Sequence, residues 1–304
     1  MGFYDGMDKA CSTYDVSKLL KIPTILILDA SGSYITISAV LKGLKTYKKD
    51  NTIKAIVLNN ISSSMHYELI KRQVNEDFDD IEILGWIEKN LPCLKDTHLG
   101  LDLNDAKKDT LQKLSKEVLK HIDLEKLQKI SVYTKKKNNN YPFEKIEKVN
   151  KKATIIKDEN FSFLYYDNLK VLKELFNKVE IVNPSKDEQI SKDSDFVYIL
   201  GGYIETQKAY DKIKNSKNFK DSLLRHVKDK RYVYAECAGL LFLSKNVDDK
   251  KMMNILDVSF TLTNKRNRLG YYYNQKGLKG HAFHYTKPID TKNAIDILSK
   301  KKNS

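Results

Sequence analysis

Short apolar runs that stop at a polar residue constrain this chain more than any other feature. Residues 23–28 (PTILIL) end at Asp29, residues 53–58 (IKAIVL) end at Asn59, and residues 81–84 are followed by Gly85. An unbroken run of Ile, Leu and Val is how a strand reads when both its faces are covered, and the polar residue marks its carboxyl end. Between the runs, residues 35–47 and 65–74 carry apolar side chains at helical spacing. The alternation β-α-β-α-β predicts a parallel sheet. Leu111, Leu114, Val118, Leu119 and Ile122 keep the helical period, which predicts a helix over residues 106–121.

The pattern fails over residues 131–150 (SVYTKKKNNNYPFEKIEKVN) and then restarts. Strands are predicted at 153–156, 179–182, 196–200 and 232–235. Helices are marked by Leu169, Leu172, Leu175 and Phe176, and by residues 219–227. Residues 259–262 and 270–274 alternate more like antiparallel strands. A chain of 304 residues holds roughly two domains at ~150 residues each. The expected organisation is a first domain at 1–130, a linker at 131–150, a second domain at 151–290 and a tail at 291–304.

Charge narrows the partners. The chain has 54 Lys and Arg against 40 Asp and Glu, a net charge of +14. The lysines are spread out; only 135–137 and 300–302 form dense runs, and neither accompanies a basic helix or an aromatic RNA-binding signature. The expectation is no nucleic acid; anionic small molecules such as polycarboxylates or nucleotides fit the charge equally well. The longest apolar stretch, near residues 22–28, falls far short of the ~18–20 residues that span a bilayer. The first residues lack the apolar core of a signal peptide, and Gly6 stands where myristoylation wants Ser or Thr. Cys11, Cys93 and Cys237 are odd in number and far apart, which argues against a disulfide framework and against a CxxC zinc site. Together these features predict a soluble, cytoplasmic protein with no membrane partner.

One thiol stands out. Residues 232–239 read YVYAECAG and are followed by LLFLS, so an apolar strand runs into Cys237, then a small residue, a glycine and a helical start. A sharp strand-to-helix turn lifts a nucleophile out of a sheet, and small neighbours permit strained backbone and close substrate approach. Backbone N–H groups at the helix start are expected to lower the thiol pKa and to hold an oxyanion. The same local sequence serves a buried structural cysteine equally well. His281 and His284, in GHAFHYT, are candidate bases; either also fits an ordinary core or surface position. Residues 200–205 (LGGYIE) place a glycine pair after a strand, where N–H groups can face a substrate oxygen, although such a pair is also an ordinary turn.

Eight stretches, in order, resemble the cobyrinate a,c-diamide synthase family over nearly the whole chain. They are MGFYDG (1–6), ILDASGS (27–33), IVLNN (56–60), HYELI (66–70), HLGL (98–101), LGGYIE (200–205), AECAGL (235–240) and GHAFHY (280–285). The resemblance implies an α/β chain of two domains. The first is an incomplete P-loop-type parallel-sheet domain like that of dethiobiotin synthetase. The second is a flavodoxin-like class I glutamine amidotransferase. It implies a glutamine-hydrolysing carbon–nitrogen ligase of cobalamin biosynthesis, amidating the a- and c-carboxylates of cobyrinate with ATP, Mg²⁺ and glutamine. On this resemblance Cys237 is the glutaminase nucleophile and His284 its base. Gly201, Gly202 and Ala238 shape the glutamine and oxyanion site. Asn59 lies near the nucleotide base and Asp5 near the metal and substrate carboxylates; no metal ligand is assigned.

The sequence also departs from that family. It contains no GxxxxGK[ST] phosphate cradle, and on the resemblance its first residues fall in the family's Walker-B-like region. The expectation is a chain truncated at its N-terminus, completed by a separate P-loop polypeptide. Ala282 replaces the usual Glu, Ala238 a Gly, Leu200 the first loop Gly and Ile204 a Pro. Two alternatives follow: amidation of another tetrapyrrole such as a nickel-sirohydrochlorin, or a catalytically impaired remnant that does not bind ATP.

Overall fold

The computed structural model describes residues 2–6, 10–94, 96–97, 100–101, 108–132, 145–289 and 298–300. Most of the 131–150 and 291–304 stretches, the start of the 106–121 helix and His98 therefore lie outside the described residues. The chain divides into two compact units, Met1–Asn140 and Tyr141–Ser304.

The first unit runs α1 (Thr13–Leu20), β1 (Thr24–Asp29), α2 (Ile35–Tyr47), β2 (Ile53–Ile61), α3 (Ser64–Asp77) and β3 (Glu82–Glu88). The short strands β4 (Asp96–Thr97) and β5 (Gly100–Leu101) follow, then α4 (Lys108–His121) and α5 (Leu124–Ile130). Strands β1, β2 and β3 pair in parallel in that order. The apolar runs behave as their composition demands. Ile53, Ile56 and Leu58 of β2 are buried with Ile37 and Leu41 of α2 and with Ile70 and Val74 of α3. Each helical pair is four residues apart, so it lies on one face. Helix α1 starts on a capping box in which Ser12 and Asp15 satisfy each other's N–H groups.

Gly85 does not end the third strand. It takes φ +137°, and β3 continues past it to Glu88. The reason is a crossing: Gly85 bridges Ile122, and a Cβ on it would lie 1.9 Å from the His121 carbonyl oxygen. Only glycine fits there.

The second unit opens with β6 (Val149–Ile156), so the strand starts inside the stretch that had lost its period. It continues α6 (Tyr166–Leu175), β7 (Phe176–Val182), a 3-10 turn at Pro184–Lys186, β8 (Phe196–Ile199), α7 (Gln207–Ile213), α8 (Lys217–Lys228), β9 (Tyr232–Ala235) and α9 (Ala238–Leu243). The sheet order is β7-β6-β8-β9, all parallel. This is a flavodoxin-like order whose direction of winding reverses between β6 and β8; ligands bind outside the carboxyl ends at such a point. The C-terminal part then turns mostly antiparallel, with one parallel pair, β10 and β12. Strands β10 (Asn246–Val247), β11 (Lys250–Lys251), β12 (Ser259–Leu262) and β15 (Thr286–Pro288) form one small sheet, while β13 (Arg268–Tyr273) and β14 (Lys279–His284) form a ribbon. Leu200 and Ile204, which replace a family Gly and Pro, are fully buried in the second core beside Phe161, Phe219 and Phe242. Among the described residues no helix is long and apolar enough to cross a membrane.

Candidate active site

Strand β9 ends at Ala235, and the chain turns into α9 within two residues. Cys237 makes that turn with φ +48° and ψ −110°. A side chain held there costs on the order of 1–3 kcal/mol, which surrounding structure must offset. The supports are visible. Glu236 N–H donates to the Ile199 carbonyl at 3.1 Å, and Gly239 N–H donates back to the Glu236 carbonyl at 2.8 Å. A Cβ on Gly239 would lie 2.6 Å from the Ile199 oxygen, so the helix enters against β8 as closely as a backbone can.

The glycine pair after β8 lies beside the thiol. A Cβ on Gly201 would press on Cys237 Cβ at 3.3 Å and on Phe163 at 3.2 Å. A Cβ on Gly202 would lie 1.9 Å from the Asn160 carbonyl oxygen. That carbonyl belongs to the loop after β6, which is itself fixed: Asp158 accepts from the N–H groups of Asn160 (2.7 Å), Phe161 (2.9 Å) and Ser185 (3.1 Å). Phe163 N–H donates to Gly201 O at 3.1 Å and Tyr203 N–H to Asn160 O at 2.8 Å. The loops after β6, β8 and β9 thus converge, bringing Gly201, Gly202, Cys237 and Ala238 together.

The electrostatics of the thiol differ from expectation. Its residue reaches solvent, yet packing around the sulfur pushes its pKa up. The N–H of Gly202 pulls it down, the Glu205 carboxylate pushes it up, the N–H of Ala238 pulls it down and Glu236 pushes it up. The net direction is upward, which corrects the reading that this turn lowers the thiol pKa. Helix α9 has only six residues, so few aligned dipoles oppose the desolvation and the two carboxylates.

Those carboxylates had no role in the sequence reading. Glu205 is 8% exposed. Glu236 is held by two phenols: Tyr198 donates to its Oε2 and Tyr234 to its Oε1, each at 2.8 Å. Tyr198 and Tyr234 are register partners on β8 and β9, so one cross-strand pair grips both oxygens. Burial first, then the Glu236 carboxylate, raises both phenol pKa values, that of Tyr234 to about 12, so both stay donors at neutral pH. The available signal was position alone: Glu236 directly precedes the thiol and Glu205 closes LGGYIE.

His284 ends β14 and is half-buried. Its Nδ1 lies 2.8 Å from the Thr286 carbonyl, which can only accept; Nδ1 therefore carries the proton and Nε2 of the neutral ring keeps its lone pair. Among the described residues no hydrogen bond joins it to Cys237. His281 is exposed, with its ring edge-on to Tyr271. Ala282 pairs with Gly270 across the ribbon.

The candidates of the first unit are not brought together. Asn59 is half-buried at the carboxyl end of β2, opposite Asp29. Asp5 is exposed and lines a cleft with Tyr4, Tyr14, Leu44 and Tyr47, beside the second half of α2. Asp29 accepts from Ser31 N–H (3.0 Å), Ser31 Oγ (2.5 Å) and Asn60 Nδ2 (3.0 Å), which hold its carboxyl below the ordinary range.

Residues 152–304 match the CobB/CobQ-like glutamine amidotransferase domain. The cobyrinate a,c-diamide synthase of Saccharolobus solfataricus is 32% identical over 95% of this chain and 69% of its own length. Those of Caldanaerobacter subterraneus subsp. tengcongensis (31%; 94% and 68%) and Methanococcus maripaludis (31%; 95% and 69%) are similar. With a matching domain model over half the chain and relatives at this identity over most of it, the chain belongs to the cobyrinate a,c-diamide synthase family of glutamine-hydrolysing ligases.

Proposed function

We propose that this chain hydrolyses glutamine at Cys237 and delivers the ammonia to carboxylates of cobyrinate, the substrate its relatives' names carry. The observation that carries the reading is the strained Cys237 turn packed directly against the Gly201–Gly202 pair that follows β8.

In this reading His284 Nε2 takes the thiol proton and the thiolate attacks the glutamine side-chain carbonyl. The Gly202 and Ala238 N–H groups, which already favour negative charge on sulfur, favour it also on the oxygen of the tetrahedral intermediate. The proton on His284 goes to the leaving ammonia, and water then hydrolyses the thioester to glutamate. The raised thiol pKa fits a site that keeps its nucleophile protonated until the base engages.

A carboxylate accepts ammonia only after activation, for which ATP and Mg²⁺ are the reagents this reading calls for. The described residues of the first unit do not form a triphosphate cradle. The turn after β1 offers one glycine at positive φ, Gly32, and Asp29 Oδ1 is taken by Ser31 and Asn60. No step is therefore derived through ATP, and the reading stands on its glutaminase half.

The test is release of glutamate from glutamine by the purified chain, with cobyrinate, ATP and Mg²⁺ added in turn and the corrin product weighed by mass spectrometry. Glutamate release that disappears in Cys237→Ala supports the reading. Equal silence of wild type and variant removes it.

A further inference from the structure

A second cluster of chemistry-bearing side chains lies in the first unit, apart from every residue given a role above. Glu88 ends β3, and Glu117 and His121 stand one turn apart at the end of α4. One carboxylate oxygen from each Glu and the imidazole Nε2 all lie within 4.8 Å of one another.

The separations carry information. His121 Nε2 is 3.5 Å from Glu88 Oε1 and 3.6 Å from Glu117 Oε1. Hydrogen bonds from N–H to oxygen fall at about 2.7–3.2 Å, so neither is a good one. Two ligands each about 2.0–2.2 Å from a tetrahedral ion are roughly 3.3–3.5 Å apart, which is close to what is found. The nitrogen has no hydrogen-bond partner and is shut off from solvent. Glu117 is nearly as enclosed, its side chain 9% exposed. A buried ring nitrogen without a hydrogen-bond partner, set 3.5 and 3.6 Å from two carboxylate oxygens, is a donor set with the spacing a metal ion needs.

The scaffold holds the set in place. The His121 ring packs on Trp86 with centroids 3.8 Å apart, and Trp86 stacks on Tyr67. Its backbone is fixed by the Gly85 crossing and by Asp123 N–H donating to the Leu84 carbonyl at 2.7 Å. Glu117 Oε1 also accepts the Glu88 N–H at 3.0 Å, an outer contact that orients a ligating carboxylate. The one competing cation among the described residues is Lys120, whose Nζ is 3.4 Å from Glu88 Oε1; its side chain is 63% exposed and can swing into water.

We propose that Glu88, Glu117 and His121 bind a divalent first-row transition metal of the Zn²⁺ class. One imidazole nitrogen with two carboxylate oxygens suits Zn²⁺, Co²⁺ or Mn²⁺, whereas Mg²⁺ and Ca²⁺ favour six or more oxygens. Three protein ligands leave a further position on the Glu88 side, where that carboxylate is 44% exposed. The ion would clamp the end of β3 to the end of α4.

The experiment uses the full chain, stripped with a chelator. It is titrated with Zn²⁺ against a chromophoric chelator, and with Co²⁺ by visible absorption. The expected result is one Zn²⁺ bound per chain and a Co²⁺ spectrum with ligand-field bands but no thiolate charge-transfer band. His121→Gln should weaken binding by about a hundredfold or more, beyond the 10–100-fold that an outer partner costs. Glu88→Gln neutralises a half-exposed carboxylate without disturbing the core, so it keeps the test valid if His121→Gln unfolds; it should weaken binding about tenfold. Zn²⁺ affinity unchanged in Glu88→Gln, absence of Zn²⁺ binding by the wild type, or a thiolate band from cobalt would each overturn the proposal.

Discussion

The carboxyl edges of the two parallel sheets differ in how their backbone polar groups are used. In the first unit, Asp29 closes β1 and its oxygen is filled by Ser31 and Asn60, residues of its own edge. In the second, the N–H groups of Gly202 and Ala238 pull the pKa of the neighbouring Cys237 thiol down, and that residue sits at φ +48°. The same β-α alternation built both. What sets the second edge apart is that its three loops pack too tightly for side chains at Gly202 and Gly239, and strain is held at Cys237. The other edge relaxes into local turns.

The comparison is most sharply tested at the thiol. Cys237→Ala should reduce glutaminase turnover to background, a loss of more than about 10⁴-fold, in a steady-state glutamate assay. His284→Ala should follow, with a loss of about 10²–10⁴-fold, while His281→Ala costs far less; the reverse ranking would move the base.

Two glycine substitutions then separate strain from chemistry. Gly202→Ala and Gly85→Ala each drive a Cβ to 1.9 Å from a carbonyl oxygen, in different units. Both should lower stability by roughly 1–3 kcal/mol in denaturant titrations. Only Gly202→Ala should also depress kcat at temperatures where the protein remains folded; equal effects on kcat would erase the distinction between the edges.

Smaller shifts follow from charge. In a background with Cys11 and Cys93 replaced, the pH dependence of Cys237 alkylation should have its midpoint above that of an ordinary thiol. Glu205→Gln should move it down, because a carboxylate that opposes the thiolate has been neutralised. An unmoved midpoint would assign the upward shift to burial alone. Last, each unit carries a carboxylate held near pKa 2: Asp50 by Lys18 and Tyr14, and Asp193 by Lys152 and Ser191. A depressed carboxylate stabilises the fold above its unfolded value near 4. That contribution is lost as pH falls from about 4 through about 2. Asp50→Asn and Asp193→Asn should each flatten the acid limb of thermal stability, and only slightly, since both groups are exposed.

Much of the fold was legible because buried parallel strands are written as unbroken apolar runs. Helix α2 and strands β9 and β12 occur at the expected bounds. The failures share a cause, which is that long-range contacts overrule local signals. Gly85 reads as a stop, yet β3 passes through it because α4 ends against that position. Phe176 continues the helical period by type but begins β7, where it stacks on Phe196. Short α1 and α7 have too few turns to declare a period. At the candidate site, the cysteine and glycines could be found from their turn chemistry. The direction of the thiol's pKa could not, because Glu205 lies 32 positions away in sequence and its burial is a property of the assembled core. The Glu88, Glu117 and His121 set was invisible for the same reason.

The closeness of Gly239 to the Ile199 oxygen has a consequence for engineering. The hexapeptide AECAGL cannot be moved as a cassette. A recipient scaffold must offer an adjacent strand whose terminal carbonyl stands as near to the incoming helix as it does in this chain. Where that neighbour is set back by even the width of a methyl group, the transplanted cysteine would relax out of its left-handed geometry and become an ordinary surface thiol.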